Sequence, residues 1–249
     1  ILAYSSTPHP NVLAGVGVIF LIILSLNLWK KYQRKIWSSW LPLTMISLSF
    51  AGVAVLLYTT QSLSALLALV FAVIFTAVQP MLKKVKSQKT ITNLMLIVLV
   101  AILFITPMLL LTQAHHYPTE PSITRRAQLN QAANNIFQKH WLAGVGLSQF
   151  TLHLEEFANN QEIVRFVQPP HHVGLLWLAE AGVLGGILLV LGYLQMTQKQ
   201  RFQLVALLLV LSPILVLDHY LYTIQIGQFA VMLWVCQMIS SHHPDQGLE

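Results

Sequence analysis

His171 and His172 end a long polar stretch, directly after Gln168-Pro169-Pro170, and an apolar run starts at Val173. A neutral imidazole near pH 7 can take a proton from a hydroxyl, which is general-base chemistry. The apolar run carries one carboxylate, Glu180. At ~1.5 Å per helical residue it lies roughly 13 Å in, where an acid needs a partner or a water-filled cavity. A helix–helix hydrogen bond and a substrate contact fit that residue equally well. Upstream stand Arg125, Arg126 and Arg165. Guanidinium forks hold phosphate oxygens bidentately and keep their charge, whereas arginines at an interface can also simply snorkel. Asp218-His219 forms a further polar turn. It either caps helix ends or lines the same mouth as His171. Despite many histidines there is no HExxH or paired-Cys spacing, so no metal site and no cofactor is expected.

These groups need elements to hold them, and composition says which. The 249 residues are 55% hydrophobic and 9% charged, against about 25% charged in a soluble domain. The chain reads as a polytopic membrane protein, with the lipid bilayer as its surroundings. The net charge of +6 does not indicate nucleic acid, because the basic residues fall mostly in short turns between apolar runs. The single cysteine, Cys236, excludes an intrachain disulfide. The first residue is Ile, so a fragment or processed product is expected.

Apolar runs near the ~20 residues that cross a bilayer lie at 11–29, 40–58, 63–80, 91–111, 173–194, 202–217 and 223–239. The expected fold is all-α: a bundle of about seven transmembrane helices with a large, partly helical periplasmic loop. Residues 1–111 supply four spans, 112–172 the loop, and 173–249 three spans and a short tail. Lys30, Lys31, Arg34 and Lys35 fill one turn, Lys83, Lys84, Lys86 and Lys89 another, and Lys199 and Arg201 a third. Such turns face the cytoplasm, which puts the long loop outside; in a bacterium that is the periplasm or the cell exterior.

Within the loop, Pro118 and Pro121 punctuate the start, Ser122 is a candidate N-cap and Gly144 a candidate stop. Leu129, Ala133, Ile136, Phe137 and His140 recur at helical spacing, so an interfacial helix is expected, with that stripe toward lipid or the bundle. Arg125 and Arg126 border the stripe, each roughly 50° from its centre. Gly144-Val145-Gly146 reads as a tight turn, since no βαβ unit surrounds it. Glu120, Glu155, Glu156 and Glu162 read as solvated surface. Gly182, Gly185 and Gly186 read as sites of close helix approach.

Taken in order, these segments resemble a known family. His171-His172, nine residues, then Gly182-Val183-Leu184-Gly185 resembles the His-Asn-x9-Gly-x-x-Gly signature of the O-antigen ligase and polymerase superfamily. Arg126, a helix, and then Gly144-Val145-Gly146-Leu147-Ser148-Gln149-Phe150 is similar to its Arg…Pro-x-x-Gly-x-Gly-x-x-x-Phe segment, and Arg125-x-x-x-Leu129 to its Arg-x-x-x-Leu element. Asp218-His219-Tyr220-Leu221-Tyr222-Thr223 is similar to an Asp-His-Tyr-Leu-Trp-Thr turn of some members. The resemblance covers roughly residues 40–240. His172 stands where the family has Asn, Ser or Gln, and Trp141 where Pro is usual. Thr60-Gln61-Ser62-Leu63-Ser64 lacks the Ser-Arg pair often found in that outer turn.

The resemblance implies an inner-membrane glycosyltransferase that is metal-independent and inverting. Its donor would be an undecaprenyl-pyrophosphate-linked glycan. Its acceptor would be a hydroxyl on lipid A–core, on growing polysaccharide or on protein. It further implies His171 as base and Arg125 and Arg126 as pyrophosphate ligands, with Arg165, His172, Glu180, Asp218 and His219 as candidate substrate contacts. Family members have ten or more helices, so further N-terminal helices are expected. Two rivals remain at this point: a transporter using Glu180 in a translocation path, and a non-catalytic member of the fold, which the missing arginine at 59–64 favours.

Overall fold

The computed structural model describes residues 10–33, 40–85, 87–116, 121–158, 161–165 and 167–240. Arg34, Lys35, Lys86, Pro118 and Glu120 lie outside them. Every element among the described residues is a helix. In order these are α1 (Pro10–Gln33), α2 (Trp40–Thr60), α3 (Leu63–Lys84), α4 (Gln88–His116), α5 (Pro121–Lys139), α6 (Phe150–Phe157), α7 (Gln161–Arg165), α8 (Val173–Gln195), α9 (Gln198–Leu217), α10 (Tyr220–Thr223) and α11 (Gln225–Ser240). The all-α expectation therefore agrees with the structure. Three stretches are long and apolar enough to cross a membrane: Gln88–Leu109, Val173–Gln195 and Gln198–Leu217. Shorter apolar helical stretches lie at Pro10–Ser25, Thr44–Thr60 and Leu63–Gln79. All seven apolar runs of the sequence are helical, but three of them reach spanning length among the described residues.

The chain divides into two compact units, residues 1–77 with 224–249, and residues 78–223. In the first unit α1 packs on α2 and on α11. Its core is built from small and β-branched residues, Ala14, Val18, Ile19 and Ala230 among them. Gly17 permits the approach of α1 to α2, since a Cβ there would sit 2.9 Å from Leu56 Cδ1. The turn between α2 and α3 keeps its hydroxyls inside: Thr60, Ser62 and Ser64 are buried. Thr60 donates to Leu56 O at 2.6 Å, and Ser62 Oγ accepts the Ala65 N–H at 3.4 Å as a cap for α3.

In the second unit α4 packs along α9, α5 packs on both α4 and α8, and α8 packs on α9. The starts of α4 and α9 are tied by Gln198, whose amide donates to Thr92 Oγ1 at 2.8 Å. Thr197 and Gln200 form a reciprocal capping box at the start of α9. Arg201 donates to the Tyr193 and Leu194 carbonyls, so it satisfies orphan acceptors at the end of α8 as well as marking a basic turn.

Helix α5 begins at Pro121, one residue before the expected cap Ser122, because proline is pre-set for the first helical position. Its stripe of Leu129, Ala132, Ala133 and Ile136 is buried with Leu176 and Ala179 of α8 and with Phe150, Leu154 and Ile163. Of the two surfaces the stripe could face, it therefore takes the bundle. Lys139 pairs with Glu156 and lies over the Phe157 ring at 4.9 Å, which gives one of the loop acids a partner.

Candidate active site

The start of α8 is set by its own residues. Pro169 and Pro170 lack N–H groups and favour extended backbone, so the helix cannot extend back through them. His172 is the N-cap, with φ −113° and ψ 104°, and its Nδ1 accepts the Leu175 N–H at 3.2 Å. His171 precedes it and turns toward the end of α9. Its Nδ1 lies 3.7 Å from Asp218 Oδ1, and its ring centroid is 5.2 Å from that of His219. The His171 side chain is 18% exposed and that of Asp218 is 9% exposed.

Asp218 is the C-cap of α9, and α10 follows at once. The His219 carbonyl accepts the Tyr222 and Thr223 N–H groups, which closes α10, and His219 Nδ1 is 2.6 Å from Thr223 Oγ1. Tyr220 is buried beside Asp218; desolvation first and the neighbouring carboxylate second hold its phenol well above the usual pKa. His171, Asp218 and His219 therefore form one cluster built from two segments nearly fifty residues apart in sequence.

Glu180 forms a second centre. It is 3% exposed, its Oε1 accepts the Phe150 N–H at 3.2 Å and its Oε2 accepts the Tyr222 O–H at 2.8 Å. One carboxylate thus joins α8, the start of α6 and α10. Burial, then the Glu180 bond and charge, raise the pKa of the Tyr222 phenol, and its ring packs edge-on to Trp177 at 5.9 Å.

The glycines hold this centre together. Gly182 adopts φ 61° and ψ −163°, a conformation that interrupts α8 within the apolar run. The turn segment 141–146 pairs with the break: Val145 and Gly146 N–H donate to the Ala179 and Glu180 carbonyls, and Val183 and Leu184 N–H donate to the Trp141 and Leu142 carbonyls, at 2.8–3.0 Å. A Cβ on Gly144 would lie 2.3 Å from Glu180 O, and one on Gly182 would lie 2.5 Å from Leu142 O. The two glycine motifs pack backbone against backbone, each requiring the other to lack a side chain. The expectation of close approach at Gly182 is met by a loop, and neither the break nor the pairing was expected.

The arginines stand on other elements. Arg125 and Arg126 lie on the first turns of α5 and are partly exposed; Arg165 ends α7 and is exposed. Residues 141–142 are tied to 183–184, and the buried stripe of α5 clusters with Leu176 and Ala179, which precede 183. Helices α5 and α8 therefore run in the same direction, and the arginine end of α5 lies toward the histidine end of α8. Tyr222 was not singled out from the sequence as the partner of Glu180. Its place four residues after Asp218, on the same short turn, was the available signal.

The family model for O-antigen ligase matches residues 48–190, more than half of the chain. The chain belongs to the O-antigen ligase family. No curated protein and no solved structure matches it. As a member of the O-antigen ligase family it is a membrane protein with an O-antigen ligase-like role in polysaccharide biosynthesis. The matched span contains Arg125, Arg126, Arg165, His171, His172, Glu180 and both glycine motifs, whereas Asp218, His219 and Tyr222 lie beyond it. The family match and the local geometry thus cover the site from different sides.

Proposed function

We propose that this protein transfers a glycan from an undecaprenyl-pyrophosphate carrier to a hydroxyl acceptor at the outer face of the bacterial inner membrane. The acceptor is lipid A–core, a growing polysaccharide or a protein. The reading includes four N-terminal spans (1–111), the extracytoplasmic loop (112–172) and three C-terminal spans (173–249). The observation that carries it is the approach of His171 Nδ1 to Asp218 at the mouth of α8, within a family of ligases.

With Nδ1 turned to the carboxylate, His171 presents Nε2 to an acceptor hydroxyl. The hydroxyl oxygen forms the new bond to the anomeric carbon as the bond from that carbon to the pyrophosphate oxygen breaks. The hydroxyl proton goes to His171, and the electron pair of the broken bond leaves with the carrier pyrophosphate. Asp218 steadies the imidazolium, as an acid beside a catalytic histidine does. Arg125, Arg126 and Arg165 neutralise the charge gathering on the leaving group, and guanidinium forks suit that task without a metal. His219 packs on His171 and orders the turn that carries Asp218. A translocation path through Glu180 has little support, because both of its oxygens are engaged.

The test is transfer from an undecaprenyl-pyrophosphate glycan in a strain lacking its own ligase and polymerase, with the full-length protein supplied. His171→Ala and Arg126→Ala should each abolish transfer while membrane insertion is retained, and chelator should leave the rate unchanged. Full transfer by His171→Ala removes the base assignment, and loss with chelator restores a metal mechanism.

A further inference from the structure

Glu180 is buried, lies about two turns into α8 and takes no part in the chemistry above. A carboxylate offers acceptors only, and both of its partners are donors: the Phe150 N–H at 3.2 Å and the Tyr222 O–H at 2.8 Å. The Phe150 side takes the place of a cap. Gln149, the N-cap of α6, makes no side-chain cap bond, and the acid from α8 meets the first N–H of that helix instead, where an acid is favoured. The Glu180 carbonyl also accepts the Gly146 N–H at 2.9 Å. One residue of α8 therefore holds both ends of Gly146–Phe150, the Gly-x-x-x-Phe part of the loop motif.

The Tyr222 side reaches the candidate site. Helix α10 is a single turn directly after Asp218-His219, and the His219 carbonyl accepts the Tyr222 and Thr223 N–H groups, so 219–223 is one closed piece. Asp218 approaches His171 at 3.7 Å, longer than a hydrogen bond, and such an approach does not hold a turn in place by itself. Four residues on, the bond from Tyr222 to Glu180 has full hydrogen-bond length. We propose that Glu180 is a positioning residue: its carboxylate anchors the turn 218–223 to α8 through Tyr222, and so sets Asp218 beside His171 at the head of the same helix. The catalytic consequence rests on the glycan-transfer reading above; the anchoring does not.

The test uses the full chain in lipid nanodiscs, as wild type, Glu180→Gln, Glu180→Ala, Tyr222→Phe, Asp218→Asn and the Tyr222→Phe/Asp218→Asn double variant. Hydrogen exchange reads the anchoring: the amides of 219–223 should exchange roughly fivefold faster in Tyr222→Phe and in Glu180→Ala than in wild type. Glutamine can turn its oxygen to the Phe150 N–H and its amide to the Tyr222 oxygen, so Glu180→Gln should exchange much as wild type does and lose far less transfer than Glu180→Ala. In the transfer assay, with an undecaprenyl-pyrophosphate glycan as donor, Tyr222→Phe should lower kcat roughly tenfold with KM unchanged, as misplacement of a reacting pair does. In the Asp218→Asn background the same change should cost about threefold or less, because the group it positions is already gone. Glutamine as damaging as alanine, unchanged exchange in Tyr222→Phe, or an equal loss of kcat in both backgrounds overturns the proposal. If the wild type transfers nothing, the proposed reaction fails, and the exchange decides the anchoring by itself.

Discussion

The two parts of α8 on either side of Gly182 belong to one apolar run and do different things. Before the break, Leu176, Ala179 and Glu180 are buried against α5, α6 and α10, and His172 is turned inward. After it, Ile187, Leu188, Leu189, Val190 and Leu191 are all exposed, so the helix is apolar on every side, as a lipid-bathed span is. Hydropathy sees one span. The structure shows a buried arm that carries the candidate site, followed by an exposed apolar helix. Apolar sequence alone therefore does not say whether a segment is solvent for lipid or scaffold for chemistry.

Substitutions on the two sides should separate accordingly. The largest effect belongs to His171→Ala at the head of the first part: transfer should fall by about 10²–10⁴, the usual worth of a general base, with thermal stability unchanged. Next comes Gly182→Ala at the junction. It forces an alanine into a strained φ and onto the Leu142 carbonyl, so a loss of roughly 3 kcal/mol or more is expected in thermal unfolding. Should the variant be as stable as wild type, the break is not a required feature.

Glu180→Leu should cost about 2–6 kcal/mol, because it strands the Phe150 N–H and the Tyr222 hydroxyl at about 1–3 kcal/mol each. Tyr222→Phe removes one of these bonds and should cost about 1 kcal/mol. A double cycle that shows no coupling between the two residues contradicts the link from α8 to α10.

Acid should act on the first part of α8 through His172. Its pKa is lowered on folding, so between about 4 and 6.5 the unfolded chain binds more protons than the folded one. Stability therefore rises with pH across that window and is lost as pH falls toward about 4, by at most on the order of 3 kcal/mol. Denaturant titrations of His172→Asn should show a flatter profile over the same range. The smallest effect is expected beyond the break: nothing lies within 4 Å of a Cβ on Gly186, so Gly186→Ala should change stability by about 1 kcal/mol or less, in the stabilising direction.

Much of the scaffold was legible from residues alone. Hydropathy located the apolar helices, because a backbone in an apolar setting must pair with itself. Spacing located α5 through Leu129, Ala133 and Ile136, and Pro169-Pro170 marked the start of α8. The histidine pair and Asp218-His219 were visible as chemistry out of place. What the sequence did not disclose depends on contacts between distant backbones. The pairing of 141–146 with 179–184 leaves no mark except glycine, and Gly182 in an apolar run is equally a helix-packing residue. The partner of Glu180 is a tyrosine 42 residues away, and the burial of the His172 ring has no sign in the polar residues around it. The side-chain types were informative; the pairings were set by tertiary packing.

The most direct measurement is chemical rescue. Purified His171→Ala in nanodiscs, given a lipid-linked glycan and acceptor, should be inactive and should regain part of its transfer when free imidazole is added, while Asp218→Ala should not respond. Transfer by His171→Ala at the wild-type rate without imidazole would contradict the assignment of the proton to His171.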